Sequence, residues 1–158
     1  MDSEQTYERY FNLSLRFLSY RPRSEKEVYD YLKKKTNKAK NLNEQIIARI
    51  MCRLAELKFI NDFEFAKFWI TNRRKGLRFL KIELFQKGIS KETIEKALSG
   101  FDISEKEENL ILKLIEKKKK NLAGMEKRKA YEKMTAFLLR KGFDYDKIKK
   151  HLGNVVEF

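Results

Sequence analysis

Residues 80–98 read LKIELFQKGISKETIEKAL, and residues 134–152 read MTAFLLRKGFDYDKIKKHL. At a shift of 54 positions Leu80 meets Met134, Leu84 meets Leu138, Lys87-Gly88 meets Lys141-Gly142, Ile94 meets Ile148 and Leu98 meets Leu152. Apolar residues four apart mark one face of a helix. A cation followed by glycine is a helix stop: the cation complements the carbonyl end and glycine accepts the left-handed turn. A second, shorter helical run follows in each copy. A shift of 52 in the other direction places Leu80 on Val28, Leu84 on Leu32 and Lys87 on Lys35. The period is therefore about fifty residues, a length typical of units that bury their apolar faces only by stacking. The pattern predicts an all-α protein of three tandem three-helix repeats (1–61, 62–103 and 104–158), together one elongated nine-helix array.

The flanking sequence supplies the other helices. Tyr7, Phe11, Ser14 and Leu18 form a stripe over about 4–19. Ser24 and Glu27 have capping-box spacing and open a helix over 24–34 that ends in Lys33, Lys34 and Lys35. After a polar stretch, Thr36 to Leu42, a helix from Asn43 carries Ile46, Ile47, Ile50, Leu54 and Leu57. Asp62 has the position of an N-cap for the helix bearing Phe65, Ala66, Trp69 and Ile70, and Gly76 that of its stop. Ser104 and Glu107 read as another capping box, opening the helix with Leu110, Ile111, Leu114 and Ile115, and Gly124 punctuates it.

Composition narrows the chemistry. The 158 residues hold 37 Lys plus Arg against 23 Asp plus Glu, a net charge of +14. With one cysteine and one histidine, a disulfide framework, a cysteine-based zinc cluster and triad chemistry are all disfavoured. Cys52, flanked by Ile50, Met51 and Leu54, reads as a buried inert thiol, and His151 as a helix-end residue. No phosphate-cradling glycine loop is present. The expectation is a non-catalytic protein without cofactor or metal. No apolar run approaches the roughly 18 residues of a membrane span, and Met1 to Glu8 is too acidic for a secretory signal. The cytoplasm is the expected location.

The surplus charge is +5 over 1–61, +3 over 62–104 and +6 over 105–158. Such a balance fits nucleic acid, anionic lipid or an acidic protein surface without choosing among them. Arginine is the better ligand for phosphate or carboxylate because its planar fork reaches two oxygens. Arg21 and Arg23, and then Arg73, Arg74, Arg78 and Lys81, fall at helix junctions and are the candidate partner-binding residues. Arg73 follows Trp69 by four residues and has Asp62 or Glu83 as alternative partners inside the fold. Lys117 to Lys120 encircles its helix and forms no face. Most aromatic residues lie on apolar stripes; Tyr20, Tyr29 and Tyr145 are the least clearly buried.

Several of these blocks resemble the RecX family, bacterial regulators of the RecA recombinase. The resemblance begins with Arg21-Pro22-Arg23-Ser24-Glu25-Lys26-Glu27-Val28 and continues through Leu54-Ala55-Glu56-Leu57-Lys58-Phe59-Ile60-Asn61-Asp62. Phe65-Ala66, Trp69, Arg73, Gly76-Leu77-Arg78, Leu80, Glu83-Leu84 and Lys87-Gly88-Ile89 complete it, with Lys141-Gly142-Phe143 further on. It implies three tandem three-helix repeats in a curved array, with no catalytic activity. It implies as partners the RecA filament, bound along its helical groove, and the single-stranded DNA within it, with free DNA a weaker one. The binding would lower ATP hydrolysis, recombinase and co-protease activity in DNA repair and the SOS response, and the protein would be a monomer. The alternative is a basic helical nucleic-acid-binding protein acting without RecA. The first repeat departs from the pattern, with Lys35-Thr36 where the later two have Lys-Gly.

Overall fold

The computed structural model describes residues 3–36 and 43–153. Most of the polar connection expected over 36–42 lies outside the described residues, as do positions 1, 2 and 154–158. Among the described residues there are nine helices and no strand. They are α1 (Ser3–Ser19), α2 (Glu25–Thr36), α3 (Glu44–Glu56), α4 (Asp62–Asn72), α5 (Leu77–Gln86), α6 (Lys91–Leu98), α7 (Ile103–Lys119), α8 (Lys127–Arg140) and α9 (Tyr145–Gly153). No helix among them is long and apolar enough to cross a membrane.

The chain forms two compact units, Met1–Thr71 with Leu84–Ala97 and Asn72–Glu83 with Leu98–Phe158. In the first, α1, α2 and α3 pack on one another around Tyr7, Tyr10, Val28, Leu32, Ile47 and Ile50. In the second, α7, α8 and α9 do the same around Ile111, Ile115, Met134, Leu138, Ile148 and Leu152. Every apolar residue in the repeat alignment is buried: Val28 and Leu32, Leu80 and Leu84, Ile94 and Leu98, Met134 and Leu138, Ile148 and Leu152. Burying side chains of this size contributes roughly 1.5–3 kcal/mol each, which is why their spacing repeats.

The Lys-Gly stops close their helices as expected. Gly88 (φ +83°) and Gly142 (φ +89°) are left-handed. The Ile89 amide donates to the Leu84 carbonyl, and that of Phe143 to Leu138, each across a turn of Schellman form. The glycines also serve as joints. A Cβ on Gly88 would meet the Lys26 side chain at 2.6 Å, and one on Gly142 the Phe79 ring at 2.4 Å. In both units the turn after one second-position helix thus lies against the start of another: α5 on α2 in the first, α8 on α5 in the second.

Four local expectations are corrected. Gly76 does not stop α4, which ends at Asn72; it opens α5, its amide donating to the Lys141 carbonyl at 2.9 Å, and an added Cβ would lie 2.3 Å from the Gly142 carbonyl oxygen. Asn61, not Asp62, caps α4, accepting from the Glu64 amide at 3.1 Å, while Asp62 accepts from the Glu25 amide at 2.9 Å and caps α2. Ser104 and Glu107 form no capping box. Asp102 caps α7 through the Glu105 amide at 3.0 Å, and Glu107 is buried. Cys52 is exposed, since the buried stripe of α3 is Ile46, Ile47, Ile50 and Leu54 and position 52 turns away from it.

Candidate partner-binding surface

The first cluster occupies the α1–α2 junction of the first unit. The capping box at Ser24 is formed: Ser24 Oγ accepts from the Glu27 amide and the Glu27 carboxylate from the Ser24 amide, each at 3.2 Å. The Ser24 hydroxyl also donates to the Lys87 carbonyl at 2.7 Å. Glu27 becomes a hub. It accepts from Arg21 through both terminal nitrogens, at 2.7 and 3.1 Å, and from Lys87 Nζ at 2.6 Å. Burial pushes its carboxyl upward, but the hydrogen bonds from Arg21, Lys87 and Ser24 outweigh that and hold it at about 2.

Arg21 is therefore committed inside the fold. Arg23 has no ion pair among the described residues. Its guanidinium lies 3.9 Å over the Phe17 ring, which itself stacks on Tyr31 at 4.2 Å. Its Nε is buried without a hydrogen-bond partner. Burial, then the like charge of Arg21, lowers its pKa against the opposing pull of Glu27.

The second cluster spans the α4–α5 junction in the second unit. Arg73 donates to both oxygens of Glu83 at 3.1 Å, and Lys75 reaches the same carboxylate at 2.8 Å. Of its two expected partners, Arg73 therefore takes Glu83. Lys81 is half-buried and engaged within the fold. Arg74 and Arg78 are exposed, with no ion pair or hydrogen bond to the described residues. Of the six candidates, Arg74 and Arg78 are open to a ligand, Arg23 is stacked on an aromatic ring, Lys81 is engaged within the fold, and Arg21 and Arg73 hold the junctions.

Three carboxylates organise these junctions, and of these the sequence placed only Glu83, as one of two alternative partners of Arg73. Glu27 was assigned only a capping role. Glu83 gathers Arg73 and Lys75. Glu107 accepts the Leu77 amide at 2.6 Å, so capping α5, and the Lys147 ammonium at 2.5 Å. The Lys87 partner of Glu27 lies 60 residues away, and the partners of Glu107 lie 30 and 40 away, beyond any local pattern. His151 is less solvated than its helix-end position implies: its side chain is 12% exposed, 4.0 Å from Glu108. Among the described residues no three His, Cys, Asp or Glu side chains gather as a metal site.

Three-helix units in tandem, with cations set at the helix junctions, define a basic helical-repeat protein. Comparison with known families gives the particular one. The chain matches the first three-helix domain of RecX over residues 11–36, the second over 61–98 and the third over 105–152. The chain belongs to the RecX family. It is 38% identical over 149 residues to the regulatory protein RecX of Streptococcus uberis, covering 91% of this chain and 54% of that one. It is 36% identical to that of Bacillus subtilis over 149 residues, 92% of this chain and 54% of the relative. The chain thus spans about half the length of the curated relatives it matches. The crystal structure of RecX from Lactobacillus salivarius superposes with a TM-score of 0.74 at 26% identity, over 96% of this chain and 97% of that one.

Proposed function

We propose that this chain is a non-catalytic cytoplasmic regulator that binds the RecA–single-stranded-DNA filament in its groove and restrains ATP hydrolysis, strand exchange and co-protease activity. Each of 1–61, 62–103 and 104–158 acts as one repeat of a monomer, and free DNA is a weaker partner. The observation that carries the reading is membership of a family whose relatives bear the name of a regulatory protein. The +14 balance and the unpaired guanidinium groups of Arg74 and Arg78 support it, because a recombinase filament offers carboxylates and phosphates together.

The test is single-stranded-DNA-stimulated ATP hydrolysis by the cognate RecA with this protein titrated in. Inhibition at or below stoichiometric ratios is expected. Unchanged hydrolysis with folded protein in excess would sink the reading. Direct binding to duplex DNA with a steep salt dependence, near −0.9 in log–log slope per phosphate contact, would then favour the nucleic-acid-binding alternative.

A further inference from the structure

The first unit contains a groove of about 870 Å³ between the end of α1, the α1–α2 connection, the turn after α3, and α4. Leu15, Leu18, Phe65 and Phe68 make its floor, and Tyr20 and Phe59 stand at its rim. These two rings are 83% and 51% exposed, an unusual placement for large apolar groups beside an apolar hollow. The basic residues lining it are Arg21, Arg23 and Lys58; Glu64 is the acidic one, and it is held by Lys67 at 3.1 Å.

Two further observations converge there. Arg23 lines the groove with its guanidinium held 3.9 Å over the Phe17 ring, so a cation is fixed in place there without an ion-paired carboxylate among the described residues. Among the described residues Lys58 is the non-glycine residue with positive φ, at 59°. It closes α3 as glycine closes α5 and α8, with the Phe59 amide donating to the Leu54 carbonyl at 2.9 Å. Glycine would occupy that position without strain; lysine places a cation on the rim instead. Backbone strain of this kind is concentrated at functional positions.

We infer that this groove receives an acidic peptide segment of a partner protein, with a bulky apolar residue on the floor and flanking carboxylates on Arg23 and Lys58. Arg21 is already bound to Glu27, which leaves two uncommitted cations. Two cations suit a pair of carboxylates better than the run of phosphates along a nucleic-acid strand, and the aliphatic walls of Leu15 and Leu18 enclose a side chain better than they stack a base. A carboxylate beside Arg23 also offsets the burial and like charge that disfavour its ionised form. The inference is independent of the recombinase reading, because any protein could supply the segment.

The experiment selects twelve-residue peptides from a displayed random library on the full chain, then measures one enriched peptide by fluorescence anisotropy. Enriched sequences should carry Phe, Leu, Ile, Met or Trp between Asp or Glu residues. Replacing the acids by Asn and Gln, or making Tyr20→Ala or Arg23→Gln, should each weaken binding about tenfold, the equivalent of one well-made charged or apolar contact. Lys58→Gly should weaken binding while raising Tm, so lost affinity is separated from lost folding. Failure to enrich acidic, apolar-anchored peptides would overturn the inference, as would equal binding to Tyr20→Ala and Lys58→Gly. A twenty-nucleotide oligo-dT that binds the groove and displaces the peptide would reassign it to single strands. A dimer in sedimentation that Tyr20→Ala dissolves would reassign it to a second copy of the chain.

Discussion

At the scale of single residues, Glu27 shows how one side chain can do two jobs. It completes a capping box with Ser24 and gathers Arg21 and Lys87. Its carboxyl is held near 2 in the folded chain, against about 4.3 in an unfolded one. A depressed carboxylate pKa stabilises above the unfolded value and loses that contribution as pH falls through the folded one. The wild type should therefore lose stability between about pH 4.5 and 2 through this residue. Glu27→Gln should cost roughly 1–2 kcal/mol at neutral pH, the worth of charge-assisted hydrogen bonds, and should flatten the acid limb. Urea unfolding at pH 7, 4 and 2.5 measures both, and parallel acid limbs for the two proteins would refute the assignment. The capping box was legible because its two members are three residues apart. The Lys87 partnership was not, because only folding brings position 87 to position 27.

At the scale of helices, the periodic apolar residues revealed nearly everything. All nine helices are legible as apolar stripes, and the aligned positions are the buried ones. Caps were legible only where donor and acceptor are local. Asp62 and Glu107 cap helices 37 and 30 residues away in sequence, so a neighbouring cap was assumed in each case. The glycines give a sharper test of element joints. Gly124 and Gly142 share a left-handed backbone, with φ of +80° and +89°. An added Cβ at Gly124 meets nothing within 4 Å, whereas at Gly142 it meets Phe79 at 2.4 Å. Gly124→Ala should cost only the left-handed penalty, roughly 1–2 kcal/mol. Gly142→Ala should cost that plus about 1–3 kcal/mol of overpacking. Thermal unfolding of the pair measures the difference; equal costs would mean that Phe79 swings clear and the joint is not tightly packed.

At the scale of the whole molecule, the basic surplus was readable by counting, while the division of labour among cations was not. Six junction residues carry the same formal charge and the same kind of position. Their carboxylate partners decide their roles, and those partners are fixed by tertiary packing. Arg73 is tied to a Glu83 side chain that is 15% exposed; Arg74 next to it has no such tie. Arg73→Gln should therefore lower Tm, through a loss of about 1 kcal/mol, and change partner binding only secondarily. Arg74→Gln with Arg78→Gln removes charge without removing an ion pair or hydrogen bond to the described residues, so Tm should hold. If the partner is a recombinase filament, that double variant should inhibit its ATP hydrolysis with roughly two- to thirtyfold lower potency, since each lost surface ion pair contributes about 0.2–1 kcal/mol. The salt dependence then identifies what the arginines touch. Two lost contacts to single-strand phosphates would flatten the log–log salt slope by about 1.4; two lost carboxylate contacts would lower affinity with a smaller change in slope. Wild-type potency at wild-type Tm would show instead that Arg74 and Arg78 are solvated charges, and the contact surface would have to be sought elsewhere on the chain.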